Sequence, residues 1–221
     1  MNRLMLVAIM ALLAALIVAP LTMQADRPTR VNFGDVLTFV RDSGCSADPS
    51  TGMITSATPP ETLIYDADAC APVLAPDGQH VSLGEWKAAE GTATVKCIGQ
   101  GTHTTVHFSG LIPGGTYTVW LFIFANGGPP TPFTAAGALG NSDPGEPIQN
   151  YFTASAAGEG QLSLTNTSGV LSAVPGAIGS CWLDAYPEVH LALVYHIDRN
   201  TYGPVPGPMN TWAVQEVYMF K

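Results

Sequence analysis

The chain of 221 residues carries a formal charge of −9, with 8 Lys and Arg against 17 Asp and Glu. That balance excludes nucleic acid and anionic lipid as partners sought through charge. Only 11% of the residues are charged, while 23 Gly and 18 Pro interrupt the chain; long helices built on Glu, Lys and Ala are excluded, and many short strands joined by turns are favoured.

Residues 1–25 have the parts of a secretory signal peptide: Arg3, an apolar run from Leu4 to Ala19, a break at Pro20, and the small residue Ala25 at a cleavage position. The apolar run is marginal for a bilayer crossing, which takes ~20 residues, and no cysteine near the site offers a lipid anchor. Cleavage is expected to leave a single secreted or periplasmic domain over 26–221, with a loop-rich extension over 26–61, a core over 62–221, and no further membrane contact. The four cysteines, Cys45, Cys70, Cys97 and Cys181, are then read as two disulfides in an extracellular setting. Spacing leaves all three pairings open. Cys45–Cys70 is favoured as a tie between an N-terminal loop and the segment before the core, which leaves Cys97–Cys181 to join a hairpin to a late strand.

In chain order, Val36 to Val40 (VLTFV) reads as a first strand, Arg41 to Glu61 as a polar, turn-rich loop, and TLIYD as a brief strand. Asp66, Asp68 and Asp77 follow. Closely spaced Asp residues supply the hard oxygen ligands that calcium takes, but the spacing fits no EF-hand, and Asp side chains closing their own turns explain it better. His80 to Trp86 alternates and predicts a strand with Val81, Leu83 and Glu85 on one side.

Thr92 to Phe124 is the centre of the pattern. Two alternating runs flank Gly99-Gln100-Gly101, so a hairpin is predicted. In its second arm Thr104, Val106 and Phe108 take one face, and His103, Thr105 and His107 take a more polar one. The next run, TYTVWLFIF, is apolar on both faces and needs cover on both sides. Asn126 to Gln149 is long and aperiodic, and its apolar residues suit packing over that sheet better than waving free. Tyr151 to Ser155 and Gln161 to Thr165 read as a hairpin about Gly158, and a weak strand sits near Val170 to Val174. Asn166-Thr167-Ser168 has the form of a glycosylation acceptor. EVHLALVYHID and TWAVQEVYMF, separated by a Pro-rich loop, are the last strands. The fold class is all-β: an antiparallel β-sandwich of roughly eight to ten strands with long loops, immunoglobulin- or fibronectin-like in general architecture.

The phrase SGLIPGGTYTVWLF resembles a corner shared by extracellular β-sandwich domains, fibronectin type III among them, in which a Tyr tucks its hydroxyl back against a Pro-containing turn. A wider set of motifs (Ala69 to Gly78, Leu83 to Trp86, Val95 to His103, Ser109 to Thr118, Gly137 to Gly140, Phe152 to Ser163, Gly179 to Cys181 and Val189 to Asp198) is similar to a family of secreted bacterial proteins to which no activity is assigned. The resemblance implies one secreted domain of common origin. It assigns no residue a role.

Three chemistries are carried forward. Histidine is the first: His103 and His107 share one strand face, His190 and His196 share another, Glu188 and Asp198 lie near, and His80 is a possible fifth. Imidazole with carboxylate suits zinc or copper. Residues four apart on a strand lie roughly 13 Å from each other, so a site must pair one histidine from each strand, and the two strands must be neighbours. The second is carbohydrate contact through an exposed aromatic ring: Trp86, Trp120, Trp182 and Trp212 could each offer a platform if exposed, Trp120 is read as core, Trp182 as cover for a disulfide, and Trp212 is the best candidate. The third is catalysis, for which the sequence offers no G-x-S-x-G elbow and no paired carboxylates. The reading that results is a non-catalytic module with a binding or structural role toward a protein or glycan, with no cofactor; the alternatives are a histidine metal site and a carbohydrate-binding module.

Overall fold

In the computed structural model, residues 29–43, 52–126, 132–140, 149–171, 173–179, 181–208 and 210–220 are described. The expected signal peptide over 1–25 and Cys45 lie outside them. Four strands, β1 (Thr29–Asn32), β5 (Glu90–Ile98), β6 (Gly101–Ser109) and β10 (Gly160–Thr167), form one sheet in the order β1-β5-β6-β10. A second sheet runs β2-β14-β13-β7-β8, with β2 at Gly34–Asp35, β7 at Thr116–Phe124, β8 at Ala135–Ala138, β13 at Glu188–His196 and β14 at Trp212–Phe220; β9 (Tyr151–Thr153) also pairs with β7. Two small ribbons complete the set, β3 (Val40–Arg41) with β4 (Tyr65–Asp66) and β11 (Gly169–Val170) with β12 (Ala177–Ile178). Every ladder is antiparallel, so the all-β sandwich holds.

The predicted hairpin is β5–β6, turning at Gly99-Gln100. Period two then sorts its side chains. Ala93, Val95, Val106 and Phe108 face inward and meet Tyr117, Val119, Leu121 and Ile123 of β7 and Val189, Leu191, Leu193 and Tyr195 of β13 in one core. β7 is an inner strand, flanked by β13 on one side and by β8 and β9, end to end, on the other. Its entry is the expected corner: the Ile112 backbone N–H donates to the Tyr117 hydroxyl at 2.9 Å. Gly110 opens this turn at φ +66°, and a Cβ there would lie 1.9 Å from the Ala88 carbonyl oxygen. Gly110→Ala is therefore expected to cost about 2 kcal/mol or more, read as a lowered denaturation midpoint with unchanged slope.

The second face of β7 and β13 is also covered. Trp120, Ala138, Ala192, Val194 and Val214 pack under Val36, Phe39, Ala173 and Trp212, and Phe133 sets its ring edge-on against Phe122 at 5.3 Å. The cover was expected from the stretch between Asn126 and Gln149. The described part of that stretch contributes β8 and Phe133, and Val36 and Phe39 of the N-terminal segment add to the cover.

Four local expectations are corrected. The strands near the N-terminus flank residues 36–39, a turn that carries Val36 and Phe39 onto the second sheet, and of VLTFV only Val40 lies in a strand, β3. Residues 29–35 pair with both large sheets, so they belong to the sandwich and not to an appended loop. Leu83–Lys87 is a short helix, α1, where a strand was predicted. Ser82 and Glu85 form a capping box, the Glu85 N–H donating to Ser82 Oγ at 3.3 Å and the Ser82 N–H to Glu85 Oε2 at 2.8 Å. Leu83 and Trp86, three apart, share its buried face. Finally, YFT and QLSLT are not a hairpin: β9 pairs with β7 and β10 with β6, so the turn about Gly158 carries the chain from one sheet to the other.

A second helix, α2 (Trp182–Ala185), leads into β13. Before it, Cys181 is bonded to Cys97 at the end of β5. Cys70 is disulfide-bonded too, and its expected partner, Cys45, is outside the described residues. Among the described residues no helix is long and apolar enough to cross a membrane.

Candidate functional site

The outer face of the four-stranded sheet collects polar side chains in register. The alternation that sends Val95 and Val106 inward sends Thr92, Thr94, Lys96, His103, Thr105 and His107 outward, and β10 adds Gln161, Ser163 and Thr165. Antiparallel pairing lines them up in rows across the strands. Asn32, Thr92, His107 and Gln161 make one row; Arg30, Thr94, Thr105 and Ser163 the next; Lys96, His103 and Thr165 the third. Opposed Cβ atoms on such a face lie about 4.5–5.5 Å apart, so the rows are contiguous. A line of side-chain hydrogen bonds ties two of them together: Thr105 Oγ1 to Ser163 Oγ at 2.9 Å, Ser163 Oγ to His103 Nε2 at 3.1 Å, and His103 Nδ1 to Thr165 Oγ1 at 2.8 Å. These contacts fix the imidazole plane and present the hydroxyls as an ordered array.

At the β10 edge, Tyr151 of β9 is 51% exposed. It borders a depression of about 540 Å³ whose other walls are Thr105, Gln149, Gln161 and Ser163 with Leu162 and Leu164 beneath. Its neighbour Phe152 stacks on Tyr117 and Phe108 inside the sandwich, so period two turns Tyr151 outward. The same alternation in YFT is the signal by which the sequence alone would have found this ring. Two further depressions meet at His107, one of about 620 Å³ bordered by Phe152 and Glu159, the other of about 520 Å³ bordered by Asn32 and Glu90.

The four candidate metal ligands are not brought together. His103 and His107 project from β6, and His190 and His196 lie in β13, which belongs to the other sheet. The neighbouring-strand condition on which a shared site depended is therefore not met. His190 Nε2 is held by Glu188 in a short contact. His196 is fully buried, with Nε2 2.8 Å from Thr118 Oγ1, which also accepts from Trp120 Nε1 at 2.7 Å. Burial pushes the His196 imidazole down to about 4, against a smaller upward pull from Asp198. His80 Nε2 meets the Ile64 carbonyl at 2.6 Å. Among the described residues no three His, Cys, Asp or Glu side chains are placed to hold one metal ion. The Asp residues behave as turn closers: Asp66 Oδ1 accepts from the Asp68 and Ala69 amides at 3.0 and 2.5 Å, and Asp77 Oδ1 from the Gln79 amide at 2.9 Å.

Three of the four tryptophans are too buried to be platforms. Trp86, Trp120 and Trp182 are buried. Trp212 is half-buried, lies beside Phe39 and donates Nε1–H to the Gly207 carbonyl at 3.3 Å. Asn166 of the glycosylation pattern is buried and accepts from the Gly140 amide at 3.0 Å, so the folded chain does not present it.

A separate cleft of about 550 Å³ lies between residues 75–81, α1 and the Gly110–Pro113 turn. Three of its polar side chains are already spent on local structure: His80 on Ile64, Glu85 on the α1 cap, Asp77 on its own turn. On the sheet face, Ser163 and His103 have the spacing of a nucleophile and base, but the group behind the imidazole is the Thr165 hydroxyl. A carboxylate there would steady a protonated imidazole; a hydroxyl does so far less. The arrangement suits binding through many hydrogen bonds more than proton transfer. No family model, curated protein or solved structure matches the chain.

Proposed function

We propose that this chain is a non-catalytic carbohydrate-binding module of the extracellular space or periplasm, and that the outer face of the four-stranded sheet is its ligand surface. The observation that carries the reading is the register of Asn32, Thr92, His107 and Gln161 with Thr94, Thr105 and Ser163 beside the exposed ring of Tyr151. A sugar offers hydroxyls that donate and accept, and an apolar ring face that stacks on an aromatic side chain. The rows supply the first complement and Tyr151 the second. Apolar surface alone is not what the face offers, which disfavours a protein partner docked through a hydrophobic patch.

The test is binding of the purified protein to a glycan array and to soluble polysaccharides, with Tyr151→Ala alongside. Tyr151 is exposed on one side, so the variant is expected to fold and to bind the responding glycan at least tenfold more weakly, the loss of one stacking contact of about 1–3 kcal/mol. No response from the folded protein on any glycan, or full binding by the variant, counts against the reading.

A further inference from the structure

The three depressions on this face are continuous. Gln161 is a wall of both the one at Tyr151 and the one at Glu159, and His107 and Phe108 are walls of both the one at Glu159 and the one at Glu90. Together they make a trough that crosses the strands along the row Gln161, His107, Thr92, Asn32. Its floor is aromatic beside two glycines. A Cβ on Gly160 would lie 1.9 Å from the Phe152 ring, and one on Gly91 would lie 2.5 Å from Phe108 and 2.9 Å from Phe33. At both places a ring fills the space a side chain would take, and all three rings border the depressions. Among the described residues no hydrogen bond engages the four side chains of the row, whereas Thr105, Ser163, His103 and Thr165 in the next two rows are tied to one another.

The trough is acidic on one bank. Glu90, opposite Ser109 of β6, borders it on one side of His107, and Glu159 borders it on the other. Both are exposed. Among the described residues no lysine or arginine borders any of the three depressions; Arg30 and Lys96 of the same face stand one and two rows away from the His107 row.

Resting on the reading of this face as a glycan surface, we infer that its ligand is a single uncharged polysaccharide chain, laid across the strands from Tyr151 toward Asn32, and that Glu90 and Glu159 make the trough reject acidic sugars. A carboxylate accepts hydrogen bonds from sugar hydroxyls and holds them more strongly than a neutral acceptor does. A uronate or sulfate group set beside the same carboxylates is repelled, and no base in the trough answers it. The amides of Gln161 and Asn32, the Thr92 hydroxyl and the His107 imidazole both donate and accept, as sugar hydroxyls do. From β10 to β1 the row spans three strand spacings, on the order of 14 Å, room for a run of about three sugars. A trough takes chains one at a time, so the matching form is a soluble polymer and not a crystalline surface.

The experiment runs hydroxyethyl cellulose, laminarin, galactomannan and arabinoxylan, each beside its carboxymethylated derivative, in affinity electrophoresis on the full chain. Any neutral glycan that responds on the array joins the set, and calorimetry follows with oligosaccharides of the responding backbone. A neutral polymer is expected to bind at least tenfold more tightly than its carboxymethylated form, the gap narrowing as salt is raised. The Glu90→Gln, Glu159→Gln double variant is expected to melt no lower than the parent and to bind the two forms nearly equally. Affinity is expected to rise at least tenfold from disaccharide to tetrasaccharide, and Asn32→Ala, at the end away from Tyr151, to weaken the tetrasaccharide several-fold and leave the disaccharide as it was. Equal or tighter binding of the carboxymethylated form, or a gap that persists in the double variant, overturns the rejection of acidic sugars. Affinity that does not grow beyond the disaccharide overturns the path along the row. Either result leaves the face as a glycan surface if Tyr151→Ala still loses binding. An array on which only acidic glycans respond overturns this inference and keeps the proposed function; silence across the array removes both.

Discussion

Replacing Glu216 with glutamine is expected to raise the melting temperature at pH 8 and leave it nearly unchanged at pH 4. Glu216 sits in β14 beside a register shift between Leu193 and Val194. It is 1% exposed and paired across the ladder with Asp35. Burial, then a hydrogen bond to Asp35 and the negative charges of Asp35 and Glu90, push its carboxyl from an ordinary value of 4.5 up to about 8. One oxygen, Oε2, is buried and finds no hydrogen-bond partner among the described residues. A carboxyl raised in the folded state holds more protons folded than unfolded. Its contribution is therefore intact below pH 4.5 and is lost as pH rises toward 8. The loss is at most about 1.4 kcal/mol for each pH step of one across that window, and solvent near the exposed Asp35 reduces the total to about 2–3 kcal/mol.

His196 works in the opposite sense. Its value is pushed down from 6.5 to about 4, so it favours the fold fully above pH 6.5 and withdraws that support as pH falls toward 4. The two slopes oppose each other between about pH 4.5 and 6.5, and only the Glu216 loss remains between 6.5 and 8. Burial raises the Asp66 carboxyl as well, which adds to the loss just above its usual range. Calorimetric melting from pH 4 to 9 should show a plateau followed by a decline in the parent, and a rise followed by a plateau in Glu216→Gln. A parent profile level from pH 6.5 to 8 would contradict the assignment.

Much of this fold was written in short-range pattern. β5 and β6 show period two because one face is core and the other water. β7 and β13 show none because both faces are covered, and that absence was itself the signal for an inner strand. Where the pattern failed, two rules competed for the same residues. His80 to Trp86 alternates, yet Ser82 and Glu85 spell a capping box, and the box won because it satisfies the Ser82 and Glu85 amides and lets Leu83 and Trp86 bury together. YFTAS and QLSLT look like the arms of a hairpin, but Phe152 and Leu162 both belong to the inside of a sandwich, and a turn can pass between sheets as readily as within one. β8, four small residues, carries no period at all and is a strand because β7 needed an edge partner. The polar face was legible as alternation. Which strands would lie side by side was not, since that depends on pairing far along the chain; this is why two histidine pairs in different sheets could be imagined together.

Loss of the Cys97–Cys181 bond is expected to have the largest effect of any substitution considered. The bond closes a separation of 84 residues, and for a loop of that size the unfolded chain is disfavoured by about 4.5 kcal/mol. Its position adds to that. Cys97 ends the β5 arm of the four-stranded sheet, while Cys181 precedes α2 and β13 of the other, so the bond joins the two layers at one end of the sandwich. Around it, the Trp182 backbone N–H donates to Thr102 Oγ1 at 3.1 Å, and the buried Trp182 ring packs edge-on against Phe220 at 5.5 Å. The Cys97→Ala, Cys181→Ala double variant leaves no unpaired thiol to exchange with the remaining disulfide, and the alanines fill little of the space. It is expected to unfold at a lower denaturant midpoint, and to melt on the order of 10 °C below the parent for a domain of this size. The proposed ligand surface lies on the outer side of the four-stranded sheet, so well below its melting temperature the variant should still bind whatever the parent binds. A melting point within about 2 °C of the parent would mean that the two sheets are held at that end by Trp182 and Phe220 alone, and that the covalent tie contributes little.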